Sequence, residues 1–250
     1  MKNYKIKFLF LFLIAVSTAT AQDTSGVEVR SRMIEVMSSG GYMRNDYSSL
    51  NHYLQSKGYR GVSENMSFYS LGVTPNVKRF IMSYELLLYS SPKQSNPGNL
   101  EMNMSGWGSQ LTFGYQAVKK AKFRFYPYAG IVSTYTGLKM QEDNSAITNM
   151  DNVLSTPKNN ATITFTNYAL NLGVKADFMF NRRSDIECPQ ISRYMALGLR
   201  TGYYLPFAYS SKSEYNGNTV IHNSPNVGMK GFYVQMVIGF GRKIKEMNWK

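Results

Sequence analysis

The sequence contains few of the residues on which metal sites, cofactor sites and disulfide-stabilised folds depend. Its single cysteine, Cys188, cannot form an internal disulfide, so the fold does not rely on one. Its two histidines, His52 and His222, have no paired cysteines beside them, which argues against a zinc site. No dinucleotide loop or phosphate loop occurs either. We therefore expect no cofactor and no metal.

Charged residues are also scarce, and so are long apolar runs. Only 17% of the 250 residues are charged, against about a quarter in typical soluble domains. Beyond the N-terminal region, no apolar run approaches the about 20 residues that a membrane-spanning helix needs. Tyrosine (19) and phenylalanine (14) are abundant. This composition suits strands with one face toward lipid and one toward a polar interior filled by glycine, serine, threonine and asparagine.

The N-terminus has the three parts of an export signal. A basic start is followed by an apolar run and a small-x-small cleavage site: Lys2, Lys5 and Lys7, then Phe8–Val16, then Ala19-Thr20-Ala21. The run is about half the length of a spanning helix, so we expect it to be removed before Gln22 rather than kept as an anchor. The sequence thus predicts a cleaved signal peptide at 1–21 and one barrel domain at 22–250.

Apolar residues alternate with small or polar ones along most of the remaining chain. In Tyr168–Phe180 every second residue is apolar, and a period of two indicates a β-strand with one apolar face. Eight segments show a pattern of this kind, the first of them weakly: 33–44, 65–73, 78–90, 103–117, 123–138, 162–180, 195–207 and 231–242. These eight segments predict an even number of strands, as a closed bacterial outer-membrane barrel requires.

The connections between these segments differ in length in a regular way. The sequence predicts long loops at 45–64, 91–102, 139–161 and 210–230, alternating with mostly shorter turns at 74–77, 118–122 and 181–192. Long loops at one end and short turns at the other are typical of outer-membrane barrels, whose short turns are periplasmic. A soluble barrel of lipocalin type is the alternative, but it would need charge on its outer face, and five of the segments offer almost none.

Two local signals refine this picture. Proline at the second position of Thr74-Pro75-Asn76 predicts a tight turn there. Leu50, Tyr53 and Leu54 recur at helical spacing behind Asp46, which predicts a short helix within the first long loop.

Taken together, the export signal, the eight alternating aromatic-rich segments and the terminal Val237–Gly241 resemble the small outer-membrane β-barrel proteins of Gram-negative bacteria. The tyrosine- and asparagine-rich sequence is most similar to the porin-like barrels of the Bacteroidetes group. The resemblance implies an all-β, eight-stranded antiparallel up-and-down transmembrane β-barrel in the cell outer membrane. One departure is that a basic tail ending in Trp249-Lys250 follows the last strand, which in the family usually ends on an aromatic residue.

Strand parity places four charged residues inside such a barrel. They are two acids and two bases: Glu85, Lys175, Asp177 and Arg200. Because an eight-stranded barrel has an interior that side chains can fill, and unpaired charges there are unfavourable, we expect mutual pairing. The structural interpretation is a charge network that plugs the lumen, and the alternative is a gated pathway for small solutes.

Without the three lysines of the export signal the formal net charge falls from +13 to +10, and this basic excess is predicted to lie at the end that carries the short turns. We name this set the basic rim: Lys78, Arg79, Lys119, Lys120, Lys122, Arg124, Arg182, Arg183, Arg193, Arg242, Lys243, Lys245 and Lys250. Basic side chains at a membrane surface attract anionic lipid headgroups. Outer-membrane lipids are therefore the expected partners, an acidic envelope protein is the alternative, and nucleic acid is not expected for an exported protein.

One pair of residues raises the question of catalysis. Ser48 and His52 are four residues apart, so a helix would bring them to one face, near Asp46. A surface hydroxyl beside an imidazole is the ordinary explanation of such spacing, and we predict no enzymatic activity. The function we expect is a structural or surface-interaction role through the long loops. The alternatives are a narrow solute channel, an accessory subunit of a secretion or uptake machine, and a lipid-modifying enzyme.

Overall fold

The computed structural model describes residues 31–97, 100–120, 122–142, 161–181, 191–209, 213–215, 219–221 and 225–245. The predicted signal peptide, Cys188 and His222 lie outside the described residues, as does most of the predicted loop 139–161. Within the described part of the chain, no helix has both the length and the apolarity needed to cross a membrane.

Eight long strands and one short helix make up the described chain. The strands are β1 Ser31–Asn45, β2 Asn65–Val77, β3 Phe80–Ser90, β4 Leu100–Tyr115, β5 Phe123–Glu142, β6 Ala161–Asn181, β7 Ile191–Tyr209 and β8 Gly231–Lys245. The helix, α1, is Ser48–Ser56. Short strands at Gln94–Asn96, Val118–Lys119, Ser213–Tyr215 and Thr219–Ile221 extend the edges of the long ones.

The strands form a closed barrel. Each long strand pairs antiparallel with the next along the chain, and β1 also pairs with β8 from Ser31 opposite Lys245 to Asn45 opposite Gly231. The strands are 11 to 21 residues long, so each can cross a bilayer when tilted. The predicted eight-stranded antiparallel up-and-down barrel is confirmed.

The side chains alternate between the two faces of the barrel wall as the period of two predicts. In β3 the exposed residues are Phe80, Met82, Tyr84, Leu86 and Leu88, and the intervening residues are buried. The same alternation gives the whole exterior a belt of exposed large apolar side chains. Such a belt is stable only against lipid, and a closed barrel satisfies its backbone hydrogen bonds internally. These two properties place the chain in the outer membrane and rule out the soluble barrel.

The predicted turn at Thr74-Pro75-Asn76 is wrong. Strand β2 continues through Pro75 to Val77, and the chain reverses at Lys78 and Arg79, with Lys78 at a φ of 57°. Proline lacks the N–H that a strand ladder uses, and the pairing of β2 with β3 is interrupted at Thr74 and Pro75. The proline therefore lies near the end of a strand, and Lys78, three residues farther along the chain, makes the turn.

We call the end of the barrel that carries Lys78 and Arg79 the turn end; β1 begins and β8 ends there. The opposite end, which carries α1, is the loop end. The core lies inside the barrel, between these two ends.

Candidate functional site in the barrel lumen

The half of the lumen nearest the loop end is filled by apolar side chains. A single buried cluster includes Met43, Met66, Phe68, Leu87, Tyr89, Met102, Met104, Val132, Leu138, Phe165, Tyr204 and Tyr233, contributed by all eight strands. Several of these are methionines, whose flexible side chains fit irregular spaces. The strand prediction located the inward face of most of these residues, but it did not show that this half would be apolar.

The helix α1 closes the mouth above this cluster. Leu50 and Leu54 are 2% and 6% exposed and belong to the same buried cluster, as does Tyr47. Spacing of four residues puts both leucines on one helix face, so the helix packs into the barrel with its polar face outward. Asn51 fixes the following loop, because its side chain donates to the Val62 carbonyl at 3.1 Å and accepts from the Val62 N–H at 2.8 Å.

A second set of contacts ties the loop end together around Asp46. The carboxylate of Asp46 accepts hydrogen bonds from the N–H and the hydroxyl of Ser48 at 3.1 and 2.6 Å, and it pairs with the Lys230 ammonium at 2.6 Å. The hydrogen bonds from Lys230 and Ser48 lower the pKa of Asp46 to about 2. Nearby, Asn45 donates to the Gly228 carbonyl at 3.1 Å and accepts from the Lys230 N–H at 2.6 Å. The segment before β8 is thus attached to the start of the helical loop.

Below the apolar cluster, the lumen contains charged side chains. Six of them are at most 3% exposed: Glu35, Glu85, Arg124, Lys175, Asp177 and Arg200. Three are acids and three are bases, so the group carries no net charge when all six are ionised. An electrically neutral set of this kind can be buried without a free counterion.

One part of this charge network lies near the middle of the barrel. Arg200 donates to both carboxylate oxygens of Glu85, at 2.6 and 2.7 Å, and its Nε donates to Gln235 Oε1 at 2.5 Å. Ser70 donates to Glu85 Oε2 at 2.8 Å. A two-pronged bond between guanidinium and carboxylate is among the strongest polar contacts in proteins.

The other part lies closer to the turn end and is centred on Arg124. Arg124 Nε donates to Asp177 Oδ2 at 2.7 Å, and its Nη2 donates to Glu35 Oε2. The Lys175 ammonium lies 3.3 Å from Asp177 Oδ1 and 3.8 Å from Glu35 Oε1, so the two carboxylates share two cations. Tyr194 adds a hydrogen bond to Glu35 Oε2 at 3.0 Å.

Glycines on the inward face leave room for these carboxylates. A Cβ added at Gly198 would overlap Asp177 Oδ1, and one added at Gly239 would overlap Glu35 Oε1. The glycines of β7 and β8 therefore have a packing role inside the barrel.

The structure places all four predicted interior residues in the lumen and adds two that the sequence interpretation missed. Glu35 lies on the weakly patterned first strand, and Arg124 was assigned to the basic rim. That assignment is wrong, because Arg124 is 1% exposed. Arg124 shares its parity with Tyr126 and Tyr128, and both tyrosines point into the lumen, with exposures of 5% and 7%. The parity is visible in the sequence, but the two faces of this strand are hard to separate there, because the aromatic residues share the parity of the arginine.

The space left between these side chains is small. A pocket in the lumen lined by Met37, Ser83, Lys175 and Arg200, among others, has a volume of about 10 Å³. This is close to the minimum that holds one water molecule. The lumen chemistry is therefore that of a packed, neutral polar core.

The basic rim is described in part. Side chains of Lys78, Lys120, Lys122 and Arg242 are exposed at the turn end, and those of Arg79 and Lys243 are partly exposed. Lys119 is the last residue of the short strand Val118–Lys119, and Lys245 is the last residue of β8; both lie at the turn end. Arg182, Arg183 and Lys250 lie outside the described residues.

The residues considered for catalysis, Asp46, Ser48 and His52, lie at the loop end, in α1 or just before it. Ser48 Oγ donates to Asp46 at 2.6 Å, and His52 is exposed on the outer face of α1. Among the described residues, no three of His, Cys, Asp and Glu are grouped so as to hold a metal ion.

Comparisons with known proteins give no family assignment. No protein-family model matches the chain, and no curated protein matches its sequence. Among solved structures, the chain is similar to a major outer membrane protein from Thermus thermophilus, with 12% identity and a TM-score of 0.43 over 85% of this chain and 99% of that one. It is also similar to Neisserial surface protein A, with 9% identity and a TM-score of 0.36 over 86% and 97%. A third is the outer membrane protease OmpT from Escherichia coli, with 12% identity and a TM-score of 0.33 over 90% and 99%.

Proposed function

We propose that the protein is a closed, non-conducting barrel that presents a rigid recognition surface at its loop end, outside the cell. The observation that carries this proposal is the packing of α1 into the barrel mouth through Leu50 and Leu54. A loop that is folded into the core can offer a partner a fixed surface at a low cost in ordering entropy.

The outward face of α1 is the centre of the proposed surface. His52 and Tyr53 are exposed there, and the Lys57 ammonium lies 5.9 Å from the centre of the Tyr53 ring. Tyrosine is among the residues that most often dominate the binding energy of protein interfaces. The hydrogen bonds of Asn51 and the ion pair of Asp46 with Lys230 hold this face in position.

Support for a closed lumen comes from its two layers. Apolar side chains fill the loop-end half, and the six charged residues below them neutralise one another. A permanently hydrated path through these layers would need the ion pairs to separate.

The narrow channel, the accessory subunit of an envelope machine and the lipid-modifying enzyme are the competing functions, and the arrangement of Ser48 and His52 gives the enzyme no support. On composition alone, we further propose an origin among the Bacteroidetes-type barrels.

Two experiments test the proposal. First, the purified protein in planar lipid bilayers should give no unitary current steps, because apolar side chains and paired charges of the described residues occupy both layers of the lumen. Reproducible steps from the unmodified protein would refute closure and favour the channel.

Second, a photo-crosslinking amino acid at Tyr53 should capture an envelope component in intact cells. The same probe at Lys120, which is exposed at the opposite end, is the matched control. Capture only from position 53 supports the surface at the loop end. Capture only from position 120 would instead favour a periplasmic partner, and capture from neither position would refute the recognition role.

A further inference from the structure

Two arginines lie side by side on the lipid-facing exterior near the turn end. Arg193 of β7 and Arg242 of β8 are direct cross-strand partners, and both side chains are exposed. Both guanidinium groups are positively charged and have several donors each, so one phosphate between them can contact both.

An apolar groove adjoins the two arginines on the same exterior surface. It has a volume of about 830 Å³ and is lined by side chains from four strands, among them Ile34, Val36, Phe180, Met195, Phe240 and Ile244. Arg193 and Arg242 form part of its lining. The volume is in the range of small-molecule binding sites, although this groove opens toward lipid.

The register of the strands shows how the two arginines and the apolar residues of the groove are arranged along the strands. Arg242 is opposite Ile34 and Arg193, whereas Phe240 is opposite Val36 and Met195. Val36, Met195 and Phe240 form an apolar row. This row is two residues farther from the turn end than the arginines, a spacing of about 7 Å along a strand. The arginines themselves lie two to three residues from the ends of β7 and β8, at the turn end of the groove.

We propose that this groove binds one anionic phospholipid of the leaflet at the turn end. Its phosphate bridges Arg193 and Arg242, and one acyl chain lies along Met195, Phe240 and Val36. Guanidinium groups bind phosphate through paired hydrogen bonds, and the apolar row begins where the glycerol backbone ends. The site rests on the membrane-spanning barrel and on the turn end facing the phospholipid leaflet, but not on the proposed recognition surface.

The test is a lipid titration of the delipidated full-length protein in detergent micelles, followed by native mass spectrometry. The probes are long-chain phosphatidylglycerol and phosphatidylcholine of the same chain length. The unmodified protein should bind one phosphatidylglycerol at least about tenfold more tightly than phosphatidylcholine. Equal binding of the two lipids would overturn the proposal.

Matched variants separate a built site from general attraction to the basic rim. Arg193→Gln with Arg242→Gln should weaken phosphatidylglycerol binding about tenfold or more, because two charge-assisted hydrogen bonds are lost. Lys120→Gln with Lys122→Gln removes the same charge at the same end and should change binding less than about twofold, since these residues lie outside the groove. Equal losses in the two double variants would refute a specific site.

The groove itself is tested by chain length. Met195→Ala should weaken a long-chain phosphatidylglycerol more than a six-carbon form, because only the long chain reaches the apolar row. Equal weakening of both would show that the acyl chain does not occupy the groove. Unchanged heat-modifiable migration in gel electrophoresis verifies that each variant is folded.

Discussion

Replacing Arg200 by methionine tests whether the charges in the lumen hold the barrel together. Arg200 makes two hydrogen bonds to Glu85 and one to Gln235. Methionine has a similar volume but a shorter side chain and no donor, so Arg200→Met leaves the Glu85 carboxylate fully buried with only the Ser70 hydroxyl as a donor. Breaking a buried pair in this way typically destabilises a protein by about 3–5 kcal/mol. We expect a loss of free energy of unfolding in that range.

A double-mutant cycle shows whether this loss belongs to the pair. Glu85→Gln alone should also be destabilising, because it leaves the Arg200 guanidinium without a carboxylate. The double variant Glu85→Gln/Arg200→Met buries no charge at either position, and replacing a buried pair by uncharged groups is often close to neutral. The sum of the losses in free energy of unfolding of the two single variants should therefore exceed the loss of the double variant by about 2 kcal/mol or more.

The assay is reversible urea unfolding in lipid vesicles. Tryptophan fluorescence can follow it, since Trp107 is an exposed residue of the lipid-facing exterior. A loss below about 1 kcal/mol for Arg200→Met, or strict additivity in the cycle, would refute the argument that buried charge pairing stabilises the lumen.

Two further predictions concern a packing position and an ion pair. Gly198→Ala should destabilise the barrel by about 1–3 kcal/mol in the same unfolding assay, because the new methyl group displaces the Asp177 carboxylate. The ion pair of Asp46 with Lys230 should hold the helical loop at pH values above the ordinary carboxyl pKa of 3.8 and lose that effect as the pH falls toward the lowered pKa of about 2. Hydrogen exchange of the loop backbone, compared with that of Lys230→Gln, measures this change, which should stay below about 1 kcal/mol because the pair is exposed.

The glycine prediction and the ion-pair prediction each have a control. Gly137 lies in β5 with only ordinary contact distances around an added Cβ, the nearest being 3.4 Å, so Gly137→Ala should leave stability nearly unchanged. Equal effects at the two glycines would contradict the packing argument. For the ion pair, a loop that has already loosened by the time the pH has fallen to 5 would show that a group other than Asp46 is responsible.

The fold could be predicted because a barrel wall repeats one simple pattern. In β3 and β6 the alternation is regular, and both strands lie where the sequence indicated. The same parity placed Glu85 and Arg200 in the lumen. The helix at Leu50 and Leu54 was also predicted, because its spacing depends only on neighbours along the chain.

The arrangement inside the barrel could not be predicted in the same way. Which inward residues meet depends on register and tilt, so the contacts of Arg124 with Glu35, 89 residues away in sequence, leave no local signal. Tyr126 and Tyr128 concealed the parity of Arg124, since an aromatic side chain suits lipid and a packed lumen equally. Pro75 misled for a similar reason: a proline signals a turn strongly, but it also fits near a strand end.

The seam between β1 and β8 also bears on the order in which the molecule assembles. It joins the first and last strands of the barrel, so the ring cannot close until the whole chain has been delivered to the membrane. Glu35 is carried by the first strand and Arg124 by the fifth, so the dry environment that makes their attraction strong forms only when the ring shuts. Before that moment the carboxylate remains hydrated and the contact adds little. We therefore expect the charge network to form late, stabilising the finished ring against reopening rather than accelerating its formation.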